Sequence, residues 1–213
     1  KAVQVAYHET LASAKAIKIY HEMNLDGQIG IILNLTPSYP RNENDPEDVK
    51  AARLADAFFN RSFLDPAIKG TFPEDLVLLL KELDYLPEYT QSELELIKHN
   101  TIDILGINYY QPRRIMKKES TERLSDKPMP DDYFDNYIWP ERKMNPYRGW
   151  EIYEKGIYDC LINVRDNYGN LPCFISENGM GVEGEERFVN ADGMIEDDYR
   201  IEFVQDHLKY VHQ

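Results

Sequence analysis

The first group in this chain that could do chemistry is a carboxylate at the end of an apolar run. Residues 172–181 read Pro-Cys-Phe-Ile-Ser-Glu-Asn-Gly-Met-Gly. Cys173, Phe174 and Ile175 suit a buried strand, Pro172 is tolerated at a strand's first position, and Asn178-Gly179 is a turn signal. Glu177 is therefore expected where strand becomes loop. A carboxylate placed there is held rigidly by the strand while the loops surround a ligand, the arrangement that catalytic side chains adopt in parallel α/β folds. The same ten residues also fit a solvent-facing acid beside an ordinary turn. A second run, residues 102–110, reads Ile-Asp-Ile-Leu-Gly-Ile-Asn-Tyr-Tyr and becomes polar towards its C-terminal end, offering Asn108 and Tyr110. If the two runs are neighbouring parallel strands, Tyr110 can donate its phenolic proton to Glu177. That bond favours the ionised carboxylate and turns one oxygen towards a reacting carbon.

The elements that must position these groups alternate. Residues 2–23 contain neither proline nor glycine, and Val3, Ala6, Thr10, Ala14, Ile17 and His21 recur at helical spacing. Residues 29–33 form a continuous apolar run expected to be a strand buried on both faces. Asp45-Pro46-Glu47-Asp48 supplies a cap, a first-turn proline and acidic groups for a helix reaching about residue 62. Short helices are expected over residues 73–80 and 92–98. A longer one carries Trp150, Tyr153, Ile157, Leu161, Val164 and Tyr168 on one side, and a last one opens at Asp197-Asp198 with Ile201, Val204, Leu208 and Val211 inward. Residues 111–149 show no regular element, and connections this long are uncommon unless functional or disordered. The aromatic residues Tyr133, Phe134, Tyr137, Trp139, Tyr147 and Trp150 in and beside that stretch either stack on a ligand such as a sugar or pin the loop to the protein.

The resulting order, α-β-α-β-α-β-α, implies right-handed crossovers and a parallel sheet. Three such strands alone expose two edges and an apolar face, and an eightfold barrel needs about 250 residues. The expectation is a single incomplete (β/α)8 barrel, a partial TIM barrel, over residues 1–213.

Bulk properties narrow the function. A formal net charge of −14 disfavours nucleic acid, and Arg113-Arg114 and Lys117-Lys118, followed by Glu119 and Glu122, read as a solvated loop. No apolar run approaches the roughly 20 residues of a membrane span, and the N-terminus does not resemble a signal peptide. A soluble, cytoplasmic protein is expected, with no membrane partner; a homo-oligomer is left open. Cys160 and Cys173 are expected to be free thiols, and the five scattered histidines lack metal-ligand spacing, so neither a metal nor another cofactor is expected.

An ionised glutamate fixed beside a sugar ring is what a retaining glycosidase uses, with a second carboxyl group about 5–5.5 Å away as acid and base. Ile175-Ser176-Glu177-Asn178-Gly179 resembles the nucleophile motif of glycoside hydrolase family 1, with Ser176 where threonine is usual. Phe63-Leu64-Asp65-Pro66 with Gly70 and Phe72-Pro73, Asp103 through Tyr110, Gly149-Trp150-Glu151-Ile152-Tyr153, and Asp197-Asp198-Tyr199-Arg200-Ile201 resemble further motifs of that family in the same order. The resemblance implies that Glu177 is the catalytic nucleophile, that Tyr110 touches it, that Asn108 lines the same pocket, and that Tyr109 is packing. The last motif looks more like 6-phospho-β-glucosidases than plain β-glucosidases, so the implied substrate is a small β-glucoside, 6-phosphorylated by preference.

The family's acid/base glutamate stands in an Asn-Glu-Pro motif, and no Asn-Glu-Pro occurs here; Asn44-Asp45-Pro46 reads as a cap. By the family's plan the chain would hold strands five to seven, lacking the first four and the last. The expectation is a fragment that does not turn over by itself. The alternative is a non-catalytic piece serving only as an assembly partner or sugar-binding remnant.

Overall fold

A computed structural model describes residues 1–120 and 129–213. Part of the charged loop read above, Glu122 included, lies outside the described residues. The chain opens with helix α1 (Ala2–Glu22), strand β1 (Gly30–Asn34), a three-residue strand β2 (Ser38–Pro40) and α2 (Pro46–Asp56). A π-helical stretch, Ala57–Arg61, leads into α3 (Ser62–Lys69), then α4 (Glu74–Glu82) and α5 (Gln91–His99). Next come β3 (Ile104–Tyr109), β4 (Arg113–Lys117), β5 (Phe134–Asn136), β6 (Lys143–Met144) and β7 (Glu151–Ile152). The chain closes with α6 (Lys155–Asn167), β8 (Cys173–Asn178) and α7 (Asp198–Val211).

The main sheet is parallel, in the order β1-β3-β8. Alternation sorts its residues into two faces. Ile31, Leu105 and Cys173 share one register row, and Leu33, Ile107 and Ile175 the next. Both rows pack with Ile157, Cys160 and Val164 of α6 and with Ile17 and Leu64. Ile32, Gly106 and Phe174 form a row on the opposite face. That face is open, with Ile32 57% and Phe174 47% exposed, so β1 is not buried on both sides as its composition suggested. Gly106 lets the row close up, because a Cβ there would sit 2.7 Å from Ile32 Cγ1 and 3.1 Å from Ser176 Oγ.

Two expectations need correction. Residues 111–149 are not devoid of regular structure. β4 pairs parallel with β2 and antiparallel with β5, and this second sheet packs Ile115 and Phe134 on Ala51, Ala52 and Ala55 of α2. The strands are short and β4 is mostly charged, so they lack the apolar alternation that identifies a strand. Trp150 and Tyr153 precede α6 instead of belonging to it, because Glu151 and Ile152 pair with β6.

The inward face of α7 also differs from the one read from spacing. Phe203 and His207 are buried, whereas Ile201, Val204, Leu208 and Val211 are exposed, Leu208 at 58%. His207 donates from Nδ1 to the Phe203 carbonyl at 2.8 Å, which satisfies half of a ring that spacing alone would place outside. Most of the aromatic residues in the long connection are pins. Phe134 is core, Trp139 meets Tyr153 edge-on at 6.1 Å, and Tyr147 packs on Phe188 and Tyr199.

Candidate active site

The polar end of the open face is one register row. Asn34 ends β1, Asn108 lies beside it in β3, and Glu177 lies beside Asn108 in β8. Glu177 reaches this row because of an irregularity. Ile107 pairs with Ile175 but Asn108 pairs with Glu177, so Ser176 is an extra residue in β8. Strict alternation would set Glu177 on the helix-covered face with Cys173 and Ile175. The bulge restores it to the face of Phe174, where its side chain is exposed.

Hydrogen bonds tie the row together. Ser176 Oγ donates to Asn108 Oδ1 at 2.7 Å, and Asn108 Nδ2 donates to Asn34 Oδ1 at 2.8 Å. Buried Asn108 thus has its amide orientation set from both sides, leaving one N–H of the amide unassigned. Tyr110, two residues beyond Asn108, donates its phenolic proton to Glu177 Oε2. That bond to the carboxylate, more than burial, raises the Tyr110 pKa, so the phenol stays a donor. The structure therefore brings Glu177, Tyr110 and Asn108 to one place. Tyr109 points the other way, fully buried, and donates to the Tyr153 carbonyl at 2.6 Å. A Cβ at position 156 would collide with that hydroxyl, which accounts for Gly156.

The loop after Glu177 is held by residues that spacing did not single out for this role. Asn145 Nδ2 donates to the Gly181 carbonyl at 2.8 Å, and Arg200 Nε donates to the Met180 carbonyl at 3.2 Å. Arg200 is itself fixed by ion pairs with Asp197 and Glu185. Asn178 Nδ2 donates to the Tyr109 carbonyl at 2.8 Å, joining the two strand ends. Of the aromatic residues in the long connection, Trp150 comes nearest the centre, its ring 6.3 Å from that of Tyr110. Glu151 does not face the site as a second acid; Arg114 clamps it with contacts of 2.6 and 3.2 Å.

The sequence profile of glycosyl hydrolase family 1 matches residues 1–213. The chain belongs to glycosyl hydrolase family 1. Within the family it is 62% identical over 213 residues to the 6-phospho-beta-glucosidase GmuD of Bacillus subtilis (strain 168), covering 100% of this chain and 46% of that protein. It is 34% identical to beta-glucosidase A of Acetivibrio thermocellus, covering 99% of this chain and 44% of that one. Among solved structures it superposes on the beta-glucosidase from Thermotoga maritima in complex with deoxynojirimycin with a TM-score of 0.80 at 30% identity, over 99% of this chain and 43% of that one. The chain thus spans less than half the length of these relatives, and its fold is part of a family 1 α/β barrel.

Proposed function

We propose that Glu177 is the nucleophile of a retaining β-glycosidase that cleaves β-glucosides, with 6-phospho-β-glucosides as the preferred class. The observation that carries this reading is the Asn34, Asn108, Glu177 row with Tyr110 bonded to the carboxylate. A Glu177 oxygen attacks the anomeric carbon as the glycosidic C–O bond breaks, giving a glycosyl ester on Glu177. The leaving oxygen takes a proton from a second carboxyl group, and that group, as base, then draws a proton from water, which releases the sugar with its original configuration. Tyr110 holds the oxygen that is not bonded to the sugar, and Asn108 turns its free N–H to a ring hydroxyl. The phosphate preference is supported by the 62% identity to a protein named for that activity.

The proton donor is the part for which this chain has no counterpart of the family motif, since Asn-Glu-Pro is absent. The 213 residues alone are therefore expected to bind sugar at most, without turnover. In a longer protein that includes the missing motif, incubation with a 2-deoxy-2-fluoro β-glucoside bearing a good leaving group should add one fluoroglycosyl mass to the peptide containing Glu177. A label on another carboxylate, with Glu177 unmodified in an active protein, overturns the assignment.

A further inference from the structure

Arg113 and Arg114 leave β4 on opposite faces, and only one of them has its needs met. Arg114 is paired with Glu151 and lies 4.4–4.8 Å from the ring centres of Tyr39, Trp139 and Tyr153. Arg113 shares a register row with Ser38 on the side that faces α2, as Ile115 does two residues on. Its guanidinium lies 3.8 Å over the ring of Phe59. Among the described residues none of its side-chain nitrogens finds a hydrogen-bond acceptor; Nε is buried without a partner there, and so is Oγ of the adjacent Ser38. Burial lowers the Arg113 pKa, and among the described residues the through-space charge of Asp131 offsets it in part.

Unpaired buried donors cost about 1–3 kcal/mol each, so two on neighbouring residues call for a reason. The surroundings suggest one. Phe59 is a wall of a cavity of about 320 Å³ that is also lined by Asn60, Phe63 and Asn34. Asn34 is the first member of the row that ends at Glu177. The planar guanidinium is the side chain best matched to a carboxylate or phosphate, and its stacking on Phe59 fixes the direction of its donors.

We infer that Arg113 and Ser38 form an oxyanion-recognising subsite behind Phe59, a wall of the cavity that Asn34 also lines, taking a carboxylate or phosphate group. Two sources share that chemistry: a group carried on the leaving-group part of the glycoside, and a free small anion that binds next to it. The first source rests on the glycosidase reading above; the second does not.

The test uses the full-length protein in two arms. In the first, kcat/KM is compared for aryl β-glucosides matched in leaving-group pKa, with and without a carboxylate on the ring. Arg113→Met is expected to lower the carboxylated-to-neutral ratio 10- to 100-fold, and Arg113→Lys to restore part of it. In the second, benzoate and inorganic phosphate are titrated calorimetrically into the Glu177→Gln protein, with and without Arg113→Met, which needs no turnover. A loss of at least 10-fold in benzoate affinity on Arg113→Met supports the subsite. Competition with a bound glucoside assigns the oxyanion to the substrate, and independent binding assigns it to a free anion. An unchanged substrate ratio together with anion binding indifferent to Arg113, or no anion binding at all, overturns the proposal. If both substrates are inert while benzoate still depends on Arg113, the glycosidase reading fails and the subsite stands.

Discussion

The main sheet and the small sheet grown from its loops are held by different forces. In β1-β3-β8 the register rows on the covered face are apolar, with Leu105 and Ile107 wholly buried, and their stability comes from apolar area removed from water. In β2-β4-β5 the central strand is Arg-Arg-Ile-Met-Lys, and only Ile115 is core. Ion pairs and rings over guanidinium groups do the rest, as with Arg41 on buried Asp48 and Arg114 on Glu151. The apolar sheet supplies a rigid base with the Asn34, Asn108 and Glu177 row at its end. The charged sheet grows from the loops that follow β1 and β3.

If this contrast is right, the largest loss of stability comes from the first sheet. Ile107→Ala should cost about 4 kcal/mol, read as a lower urea midpoint at unchanged slope, because the side chain is wholly enclosed. A cost below about 1 kcal/mol would mean that the sheet does not carry the core. Glu151→Ala should cost somewhat less, about 3 kcal/mol, since it strands a nearly buried Arg114. Loss of that pair should also free the segment that carries Trp150, so near-ultraviolet circular dichroism should change before the main sheet unfolds. Tyr110→Phe should leave stability almost untouched and lower kcat/KM of the full-length protein roughly 10- to 100-fold, the weight of one hydrogen bond to a charged group. A subtler difference should appear with pH. Burial depresses the His207 pKa, so the unfolded state takes up a proton that the folded one resists. That contribution is intact above about pH 6.5 and is lost as pH falls from there through the lower folded pKa. His207→Phe should flatten the fall of thermal midpoint in this window, and an unchanged pH profile would show that the imidazole is not the group responsible.

The three main strands, their order along the chain and the carboxylate at the end of β8 are legible because continuous apolar runs and an Asn-Gly turn are local signals. Asn108 and Tyr110 could be found for the same reason, lying where an apolar run turns polar. Asn34 could have been found too, since it follows the apolar run of β1 just as Asn108 follows that of β3. The second sheet could not, because what makes Arg113–Lys117 a strand is a set of partners scattered from Ser38 to Glu151. The α7 face was misread for a related reason. Ile201, Val204, Leu208 and Val211 have the right spacing for a buried stripe, yet it is Phe203 and His207 that turn towards the protein. Periodicity identifies a helix more firmly than it identifies the side that will be covered. Asn145 and Arg200 were invisible as loop clamps because each bonds to a backbone carbonyl, which leaves no mark on the partner's residue type.

The extra residue in β8 supplies a hydroxyl as well as a bulge. Replacing Ser176 by threonine keeps a hydroxyl for Asn108, and replacing it by alanine loses one hydrogen bond. Deleting it removes the bulge: Glu177 would follow Ile175 directly and stay opposite Asn108 on the open face by simple alternation, without the hydroxyl that holds Asn108. A single lost codon would thus keep the carboxylate in its row while leaving Asn108 Oδ1 without its donor. The extra residue is tied to how the Asn108 amide is oriented, and the place of Glu177 survives its loss.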